Sequence, residues 1–471
     1  MNDSLLFNIE CFSGQQITDN IQPEYLTRPV DGLYAEIREH SDSRSLYLDE
    51  KLLSKHMITL GAIGSGKTNF LYYLFQSFLQ RMQDEQGHSH DRIICFDPKG
   101  DYCEKFFSRS SVCIGSDVAN ITDSWNLFAE VMDTPTSPVD CELLRQIATT
   151  LFKKQIDSSN NPVFPAGARD LFVGLFRYFV QERVARGEAS FATMNNATLK
   201  RFFETHVTDA EEIKRMVLSV PGCEWLSTYL IAPQSATTQS YLAPLQAVVN
   251  EIFVGCFAKP GTFSVRQFMR GSNDRRVLFL EYDPEKGCII DAVYTAILDL
   301  AMKEAIGRNR VQHRNVIFVL DEFPMLPALS YVDQILQFGR SIGVKVVAAI
   351  QSTAQLTQKY SDSGATNIIS GFSTMVAFRL FDSMSRDAVI QRHGKNLSCV
   401  TYLSRNRDES NKEQLLELNA VTDWDITQLK IGECIVSPPN GVPFRFYPKV
   451  FNQVPVRGQM RHAMRIINTE S

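Results

Sequence analysis

The chain has 471 residues, of which 44% are hydrophobic and 21% are charged, and its formal net charge is -5. This composition is typical of a globular protein of about two to four domains. The charge excludes a protein that is basic overall and coats nucleic acid, but it leaves room for a locally basic channel. None of the ten cysteines forms a C-x-x-C pair, so their spacing indicates no zinc or redox motif, and free thiols in a reducing cytoplasm are expected.

The amino-terminal sequence, MNDSLLFNIECFSG, lacks the basic start and the long apolar stretch of a signal peptide. The longest apolar runs, VIFVL and IFVGCFA, are far shorter than the roughly 20 residues that a membrane helix needs. We therefore expect a chain with no membrane span of its own.

The first 140 residues predict an irregular segment and then the first part of an α/β domain. Residues 1–30 carry no regular pattern and are interpreted as irregular. From residue 31 to residue 140 the patterns indicate a β-hairpin, a short strand, a helix and a second strand, in the segments LYAEIREHSDSRSLYLD, HMITL, NFLYYLFQSFLQ and RIICFD. The cluster DTPTSPVD ends at residue 140 and indicates a boundary.

Residues 141–258 change character, because their apolar residues recur at helical spacing and no strand pattern interrupts them. We interpret this segment as an inserted all-α domain. Strand patterns return within residues 259–450, as RVLFLEYD, VIFVLDE, VKVVAAIQ and TMVAFRLFD, with helical patterns between them. Such alternation is typical of a mainly parallel sheet with helices on both faces. The sequence therefore predicts an α/β domain that is split by the all-α insertion, followed by a mildly basic tail at residues 451–471.

The sequence GAIGSGKT, Gly61–Thr68, connects the strand HMITL to the following helix and fits the phosphate-binding pattern G-x-x-x-x-G-K-[ST]. In such a loop, glycines let backbone N–H groups point at phosphate oxygens, and the helix N-terminus favours negative charge. Lys67 is expected to reach the β- and γ-phosphates, and Thr68 to ligate Mg²⁺. This context predicts a site for ATP and Mg²⁺ that is formed by Gly61, Ala62, Ile63, Gly64, Ser65, Gly66, Lys67, Thr68 and Asn69.

Polar residues follow two later strands at the point where each strand ends. Asp321 and Glu322 follow VIFVL, and Gln351 follows VVAAI. Because an open parallel sheet binds its ligands at the carboxyl ends of its strands, these residues are expected near the phosphate loop. Asp321 is predicted to hold Mg²⁺, directly or through water, and Glu322 to act as the general base toward the attacking water. Gln351 is predicted to sense the γ-phosphate or to position water.

Two further groups leave alternatives open. Arg340, in LQFGRSIG, fits an arginine finger that reaches the site of a neighbouring subunit, and it equally fits a surface arginine at a helix end. The segment FDPKGD follows another strand, and its polar residues would either contact nucleotide, Mg²⁺ or a neighbouring subunit, or form a plain turn; these residues are Asp97, Lys99 and Asp101. No sequence-reading DNA module is recognised, so any contact with DNA is predicted to involve the DNA backbone.

In this order, the segments GAIGSGKT, FDPKGD, LDEFPML and AAIQSTAQLTQKYSDSGATNIISGF resemble the coupling-protein ATPases of type IV secretion and conjugation. These proteins, of the TraD/TraG type, belong to the FtsK/HerA superfamily of ring-shaped motors. The resemblance extends from about His56 to Val450 and includes SWNLFAE, VFPAGARDLFVGLFRYF and LKIGECIVSPPNGVPFRFYPKVF. The DEFP segment and the IQS-x-x-QL-x-x-x-Y segment are specific to this branch of the P-loop proteins.

The resemblance implies a RecA-like P-loop domain with an all-α insertion, assembled as a homohexamer around a central channel. It implies ATP hydrolysis that moves DNA, or that delivers a DNA–protein or protein substrate, a relaxase or an effector, to components of a type IV secretion system. Residue by residue, it assigns the loop roles to Lys67 and Thr68, the metal and base roles to Asp321 and Glu322, the trans-acting arginine to Arg340 and the sensor role to Gln351.

Most members of this family carry amino-terminal membrane helices, whereas this chain begins almost directly at the predicted α/β domain. We therefore expect a cytoplasmic protein that either docks at the inner membrane through a separate partner or works free of it. A DNA-pumping motor of conjugative transfer is the leading interpretation. A protein-effector coupling ATPase, or a DNA translocase of a defence or DNA-processing system, is the alternative. A non-hydrolysing adaptor fits less well, because the set Lys67, Thr68, Asp321 and Glu322 is complete.

Overall fold

The structure is a computed structural model of the chain, and it describes residues 7–82, 91–115, 121–232, 235–271, 274–282, 287–307, 315–402 and 412–452. The strands are, in chain order, β1 (Phe7–Ser13), β2 (Ala35–Arg38), β3 (Ser45–Leu48), β4 (Met57–Leu60), β5 (Arg92–Asp97), β6 (Ser111–Ile114), β7 (Val277–Glu281), β8 (Val316–Leu320), β9 (Val344–Ile350), β10 (Thr374–Phe378), β11 (Lys395–Tyr402), β12 (Lys412–Asn419), β13 (Cys434–Ser437) and β14 (Phe444–Phe446).

The α-helices are, in chain order, α1 (Pro23–Leu26), α2 (Glu50–Leu53), α3 (Lys67–Met82), α4 (Asp101–Phe106), α5 (Leu127–Val131), α6 (Cys141–Ser158), α7 (Val163–Ala185), α8 (Asn196–His206), α9 (Ala210–Leu218), α10 (Ala236–Ile252), α11 (Val265–Arg270), α12 (Gly287–Ile306), α13 (Val332–Phe338), α14 (Thr353–Gly371), α15 (Ser383–His393) and α16 (Asp423–Thr427). None of these described helices combines the length and the apolar character that crossing a lipid bilayer requires.

The described residues form two compact units. Unit 1 holds those within 1–89, 317–324 and 336–456, and unit 2 holds those within 90–316 and 325–335. Among the described residues of the segment 141–258 the structure has helices and no strand, as the sequence predicts. The compact units nevertheless divide the chain elsewhere, because β5, β6 and β7 lie in unit 2 together with this helical segment. The predicted tail at residues 451–471 lies outside the described residues beyond residue 452.

The main sheet of unit 1 has the strand order β14-β13-β10-β4-β9-β8. In it β10, β4 and β9 are parallel, and Ala377, Leu60 and Ile350 lie side by side at their carboxyl ends. Every residue of these three strands is buried, which explains their nearly continuous apolar runs. One charged residue, Lys345 in β9, is buried among them, and its ammonium lies 2.8 Å from the carboxylate of Glu50. The predicted α/β class with parallel strands is confirmed.

The prediction that residues 1–30 are irregular is wrong. Residues Phe7–Ser13 form β1, which pairs antiparallel with β11 in a separate three-stranded sheet of order β1-β11-β12. The helix α1 then begins at Pro23. The partner of β1 lies near the other end of the chain, so no pattern within the first 30 residues reveals the pairing. Strand formation here depends on cross-strand contacts rather than on local propensity.

In unit 2, β5, β7 and β6 lie side by side and parallel. The long helix α7 is buried by its neighbours along much of its length. Its Phe172 stacks on Phe203 of α8 with 5.5 Å between ring centroids, and its Phe176 stacks on Phe128 of α5 with 4.4 Å. Stacked aromatic pairs of this kind add to the stabilisation that comes from burying apolar area.

The segment SWNLFAE, at residues 124–130, forms a buried polar joint with the helical part of unit 2. The side-chain amide of Asn126 donates to the carbonyl oxygens of Met194 (3.2 Å) and Gly261 (3.0 Å). A second buried amide, that of Asn196, donates to the carbonyl oxygens of Trp125 (2.7 Å) and Phe257 (3.1 Å). Because buried amides are costly to leave unpaired, these bonds fix the segment against its neighbours. These bonds are one physical reason why residues 124–130 belong to the same compact unit as the helices that follow them.

Glu130 ends the same segment and is fully buried. One carboxylate oxygen accepts hydrogen bonds from Trp125 Nε1 (2.8 Å) and the Val265 N–H, and the other from Ser264 Oγ (3.1 Å) and the Arg266 N–H (3.1 Å). Burial raises the pKa of Glu130, while these four donors oppose the shift. The carboxylate thereby satisfies the first N–H groups of α11, which would otherwise lack partners.

The substitution Glu130→Gln tests this joint without a large change in volume. Either orientation of the new amide turns an NH₂ group toward a backbone N–H, that of Val265 or that of Arg266. We expect the free energy of unfolding to fall by about 2–4 kcal/mol, because buried donors lose their acceptor. The measurement is chemical unfolding followed by intrinsic fluorescence.

The matched control is Glu413→Gln, at an exposed position of β12. Surface changes of this kind alter stability by about 0.5 kcal/mol or less. Equal unfolding midpoints for the two variants would contradict a stabilising role of Glu130.

Candidate nucleotide-binding site

The phosphate loop, Gly61–Thr68, joins β4 to α3 in unit 1. Its root is held by the neighbouring strands, since the Gly61 N–H donates to Ile350 O (3.3 Å) and the Ala62 N–H to Arg379 O (2.9 Å). Gly66 has φ +111°, a backbone conformation that side chains with a Cβ rarely adopt. The loop therefore turns tightly and leads directly into the N-terminus of a 16-residue helix, where the helix dipole favours an anion.

Two polar groups lie inside this loop. The Lys67 side chain is buried, and its Nζ donates to the carbonyl oxygens of Gly61 (2.5 Å) and Ala62 (3.1 Å). The Ser65 hydroxyl is also buried, and among the described residues it has no hydrogen-bond partner. A buried ammonium, a hydroxyl in need of a partner and a helix N-terminus fit a phosphate group, which supplies negative charge and several acceptor oxygens.

Thr68 and Asp321 meet at the first turn of α3. Thr68 Oγ1 lies 3.4 Å from Asp321 Oδ2. Two neighbouring ligands of an octahedral Mg²⁺ lie about 3 Å apart, because each Mg–O bond is about 2.1 Å. The hydroxyl and the carboxylate therefore fit the predicted Mg²⁺ site, with Asp321 as a direct ligand or through a water. The sequence brings these residues together from opposite halves of the chain, as predicted.

Glu322 and Gln351 form a second pair at the same strand ends. Gln351 Nε2 donates to Glu322 Oε2 over 2.6 Å. Glu322 has φ +61°, which is uncommon for a residue other than glycine and costs about 1 kcal/mol or more. Such strain at the end of a buried strand is typical of residues whose position serves function. The hydrogen bond orients the carboxylate that the sequence predicts to be the general base.

Asn69, in the first turn of α3, has its side chain committed to the carboxyl-terminal segment. Its Nδ2 donates to Lys449 O (3.0 Å), and its Oδ1 accepts from the Phe451 N–H (2.7 Å). The predicted nucleotide contact of Asn69 is thereby limited to its backbone.

Gly432 is a residue of this site that the sequence analysis missed. Its N–H donates to Ser65 O (2.8 Å), and a Cβ placed on Gly66 would lie 2.8 Å from Gly432 Cα. Gly432 itself has φ +90°. Two glycines thus allow the backbone of the segment before β13 to pack against the phosphate loop. The only sequence signal is the glycine in LKIGEC, and nothing local links it to a loop so far away along the chain.

The remaining predicted residues belong to other elements. Asp97, in unit 2, is buried, and its Oδ2 accepts the Cys103 N–H at 2.8 Å within the first turns of α4. This bond supports the alternative in which FDPKGD forms a structural turn. Lys99 is exposed, and Asp101 begins α4. Arg340 is exposed in a short 3-10 turn of unit 1 before β9.

The model of the family described as the type IV secretion-system coupling protein DNA-binding domain matches residues 45–446 of this chain. The chain belongs to this coupling-protein family. The resemblance that the motifs indicate is thereby confirmed.

Among curated proteins, the coupling protein TraD of Escherichia coli (strain K12) is 21% identical over 378 residues, which are 79% of this chain and 47% of TraD. An uncharacterized protein of Mycoplasma pneumoniae is 31% identical over 89 residues, which are 19% of this chain and 59% of that protein. The chain spans about half the length of the curated relatives it matches.

Solved structures of the bacterial conjugative coupling protein TrwB have the same fold. The unbound TrwBdeltaN70 has a TM-score of 0.68 and 18% identity, with 95% of each chain covered. TrwB in complex with ADP and Mg²⁺ has a TM-score of 0.68 and 17% identity, with 97% of each chain covered. The predicted RecA-like P-loop fold of this family member is thereby confirmed.

The contact between Gly432 and the phosphate loop yields a testable expectation. A Cβ at residue 432 strains a backbone with positive φ and presses on Tyr447, whose Cε2 would lie 3.0 Å away. We expect Gly432→Ala to shift the segment that holds Ser65 O and to weaken nucleotide binding by about tenfold, or about 1.4 kcal/mol. The measurement is equilibrium titration with a fluorescent ATP analogue.

Gly187→Ala is the control, because Gly187 also has positive φ (+71°) but an added Cβ would meet nothing within 4 Å. It introduces similar backbone strain without touching the phosphate loop. Undiminished affinity in a folded Gly432→Ala variant would show that the contact does not shape the site.

Proposed function

We propose that this chain is an ATPase that uses ATP hydrolysis to deliver DNA, or a DNA–protein substrate, to a type IV secretion channel in conjugation. One observation carries the proposal: Thr68, in the first turn of α3, meets Asp321, which follows β8, and Glu322 meets Gln351, which follows β9. The proposed task rests on membership of the coupling-protein family. It is also supported by the names of the relatives TraD and TrwB.

In the proposed reaction, the loop N–H groups and Lys67 hold the phosphates of ATP and offset their charge. Thr68 and Asp321 would hold Mg²⁺, which would supply positive charge against the phosphate oxygens. Glu322 accepts the proton of the attacking water as general base, and Gln351 keeps its carboxylate in place.

DNA is the substrate that we propose for the movement step, since the matched family model describes a DNA-binding domain. Contacts to the phosphate backbone suffice for a motor that moves DNA of any sequence. The proposed partners are a relaxase or effector protein and components of the secretion system. Attachment at the inner membrane would then be peripheral and through such a partner.

The geometry of unit 1 supports a role for Arg340 in a neighbouring subunit. Arg340 precedes the first residue of β9, whereas Gln351 follows its last residue. A seven-residue strand spans about 20 Å, which is more than an arginine side chain can reach. The neighbouring Gly339 packs on His56, at the amino end of β4, because an added Cβ would lie 2.9 Å from His56 Cε1. Arg340 therefore lies at the opposite edge of the sheet from the phosphate loop of its own subunit.

Exposed apolar side chains near both edges favour assembly of several copies. Phe338, two residues before Arg340, is 60% exposed. Around the phosphate loop, Ile63 is 83% exposed, and Phe381 and Ile431 are 64% and 63% exposed. A ring in which one subunit brings Arg340 to the loop of the next would bury both groups. We therefore propose the homohexamer of the family, with sites completed between subunits.

Steady-state ATP hydrolysis by the purified chain tests the proposed activity. We expect turnover that rises with protein concentration and with added single- or double-stranded DNA at low salt, because backbone-driven DNA binding weakens steeply as salt rises. Lys67→Ala is expected to abolish turnover and weaken nucleotide binding. Glu322→Gln is expected to keep ATP bound and to lose about a hundredfold or more in rate, whereas Glu413→Gln should leave the rate unchanged.

The outcomes separate the two parts of the proposal. Hydrolysis that depends on Lys67 but is indifferent to DNA contradicts the DNA task and favours a protein-effector coupling ATPase. Turnover that survives Lys67→Ala contradicts the assigned site altogether.

Mixing two inactive variants tests whether Arg340 acts between subunits. Arg340→Ala is expected to bind nucleotide normally but to hydrolyse it slowly, and Glu322→Gln supplies an intact arginine with a dead site. Mixed assemblies should regain activity, with a maximum near equal amounts of the two variants. Arg81→Ala, at an exposed position late in α3, is the control and should need no rescue. Absence of rescue in assemblies shown to be mixed would refute the intersubunit role.

A further inference from the structure

A cluster of side chains able to ligate a metal lies in unit 2 and has no role in the proposed hydrolysis. Cys103, Cys113 and Glu281 are all buried, and one sulfur or oxygen atom of each lies within 4.8 Å of the others. The spacing of the cysteines along the chain matches no metal motif, so the cluster is a product of the fold.

Strand register explains how three distant residues meet. Glu281 pairs with Asp97, and Cys113 pairs with Phe279, two residues before Glu281. Because residues two apart in a strand point to the same face, Glu281 and Cys113 share one face of the sheet. The helix α4 starts over this face, where the Cys103 N–H donates to Asp97 Oδ2 (2.8 Å).

Backbone hydrogen bonds hold the strand positions of the cluster. The Cys113 N–H donates to Thr122 Oγ1 (2.9 Å), and the Thr122 N–H donates to Cys113 O (3.0 Å). The Tyr294 hydroxyl donates to Glu281 O (2.5 Å). Because these main-chain atoms are held in place, the side chains from β6, β7 and α4 can close around an ion without movement of the strands.

The donor set selects the class of ion. Two sulfurs with one carboxylate oxygen suit zinc and similar borderline-soft divalent cations, whereas Mg²⁺ and Ca²⁺ prefer oxygen ligands and retained water. In a tetrahedral zinc site, neighbouring ligand atoms lie about 3.5–3.8 Å apart, because Zn–S bonds are about 2.3 Å and Zn–O bonds about 2.0 Å. Atoms already within 4.8 Å of one another reach that spacing through small side-chain adjustments.

We propose that Cys103, Cys113 and Glu281 bind a zinc-class divalent cation that fastens α4 to β6 and β7. A water or the neighbouring carboxylate of Asp97 supplies the fourth ligand. Because all three protein ligands are buried, the ion is taken up as the chain folds, and its role is structural. Metal binding at this position would stiffen the turn FDPKGD, which leads into α4.

Metal content and cobalt spectroscopy of the purified full chain test the site. After expression in zinc-supplemented medium and removal of loose metal with a weak chelator, we expect one zinc ion per chain. The apoprotein titrated with Co²⁺ should show sulfur-to-cobalt charge-transfer absorption and the intense visible bands of tetrahedral coordination. Strong chelators should lower the melting temperature of the zinc-loaded protein.

Three variants locate the ion. Cys113→Ser and Glu281→Gln should reduce cobalt affinity by about a hundredfold or more, with Cys113→Ser also weakening the charge-transfer band. Cys434→Ser is the matched control, because Cys434 is a buried thiol of unit 1 whose Sγ contacts Phe446 O (3.4 Å). It should leave metal content and spectrum unchanged. The Glu281→Gln variant, nearly equal in shape to the original, keeps the test valid if Cys113→Ser fails to fold.

Two results would overturn the assignment. The first is a wild-type chain that binds neither zinc nor cobalt after folding, or that binds them no more tightly than Glu281→Gln and Cys113→Ser do. The second is an intramolecular disulfide between Cys103 and Cys113, found by mass spectrometry of protein isolated in air, together with no cobalt spectrum after reduction. That second result would assign the cluster to a redox-active thiol pair instead.

Discussion

The common direction of β10, β4 and β9 is the constraint on which the phosphate site depends. Parallel register brings the carboxyl ends of these strands to one edge of the sheet. The first two N–H groups of the phosphate loop then donate to the carbonyl oxygens of Ile350, the last residue of β9, and Arg379, the residue after β10. These hydrogen bonds to the sheet position the start of the loop, and the glycines allow the backbone conformation that the loop then adopts. Gln351 reaches the same edge because it follows the last residue of β9.

The sequence predicts which polar residues lie together at the strand ends, because the determinants of a strand end are short and local. An apolar run fixes each strand, and the residue that follows the run is delivered to the edge, as for Asp321, Glu322 and Gln351. Residues whose role depends on a distant partner escape such analysis. Gly432 matters only because it packs on Gly66, and β1 exists only because β11 pairs with it. Cys103 and Cys113 likewise carry no signal until strand register places them beside Glu281.

The segment SWNLFAE shows that a segment that carries family resemblance need not touch the chemistry. In this segment, the side chains of Asn126 and Glu130 form buried hydrogen bonds within unit 2. Burying a carboxylate with four donors costs free energy, and removing the carboxylate costs more because its buried donors lose their acceptor. The helical segment is thus anchored by polar satisfaction as well as by apolar packing. This anchoring explains why the compact unit 2 includes SWNLFAE as well as the helical segment 141–258.

The amide of Asn69 bonds to the backbone at Lys449 and Phe451, and the ring of Phe451 packs edge-on against Tyr73 with 5.1 Å between centroids. The carboxyl-terminal segment is in this way fastened to the helical turn that also contains Thr68. A displacement of the segment 449–451 would therefore be transmitted to this helix through two hydrogen bonds and one aromatic contact.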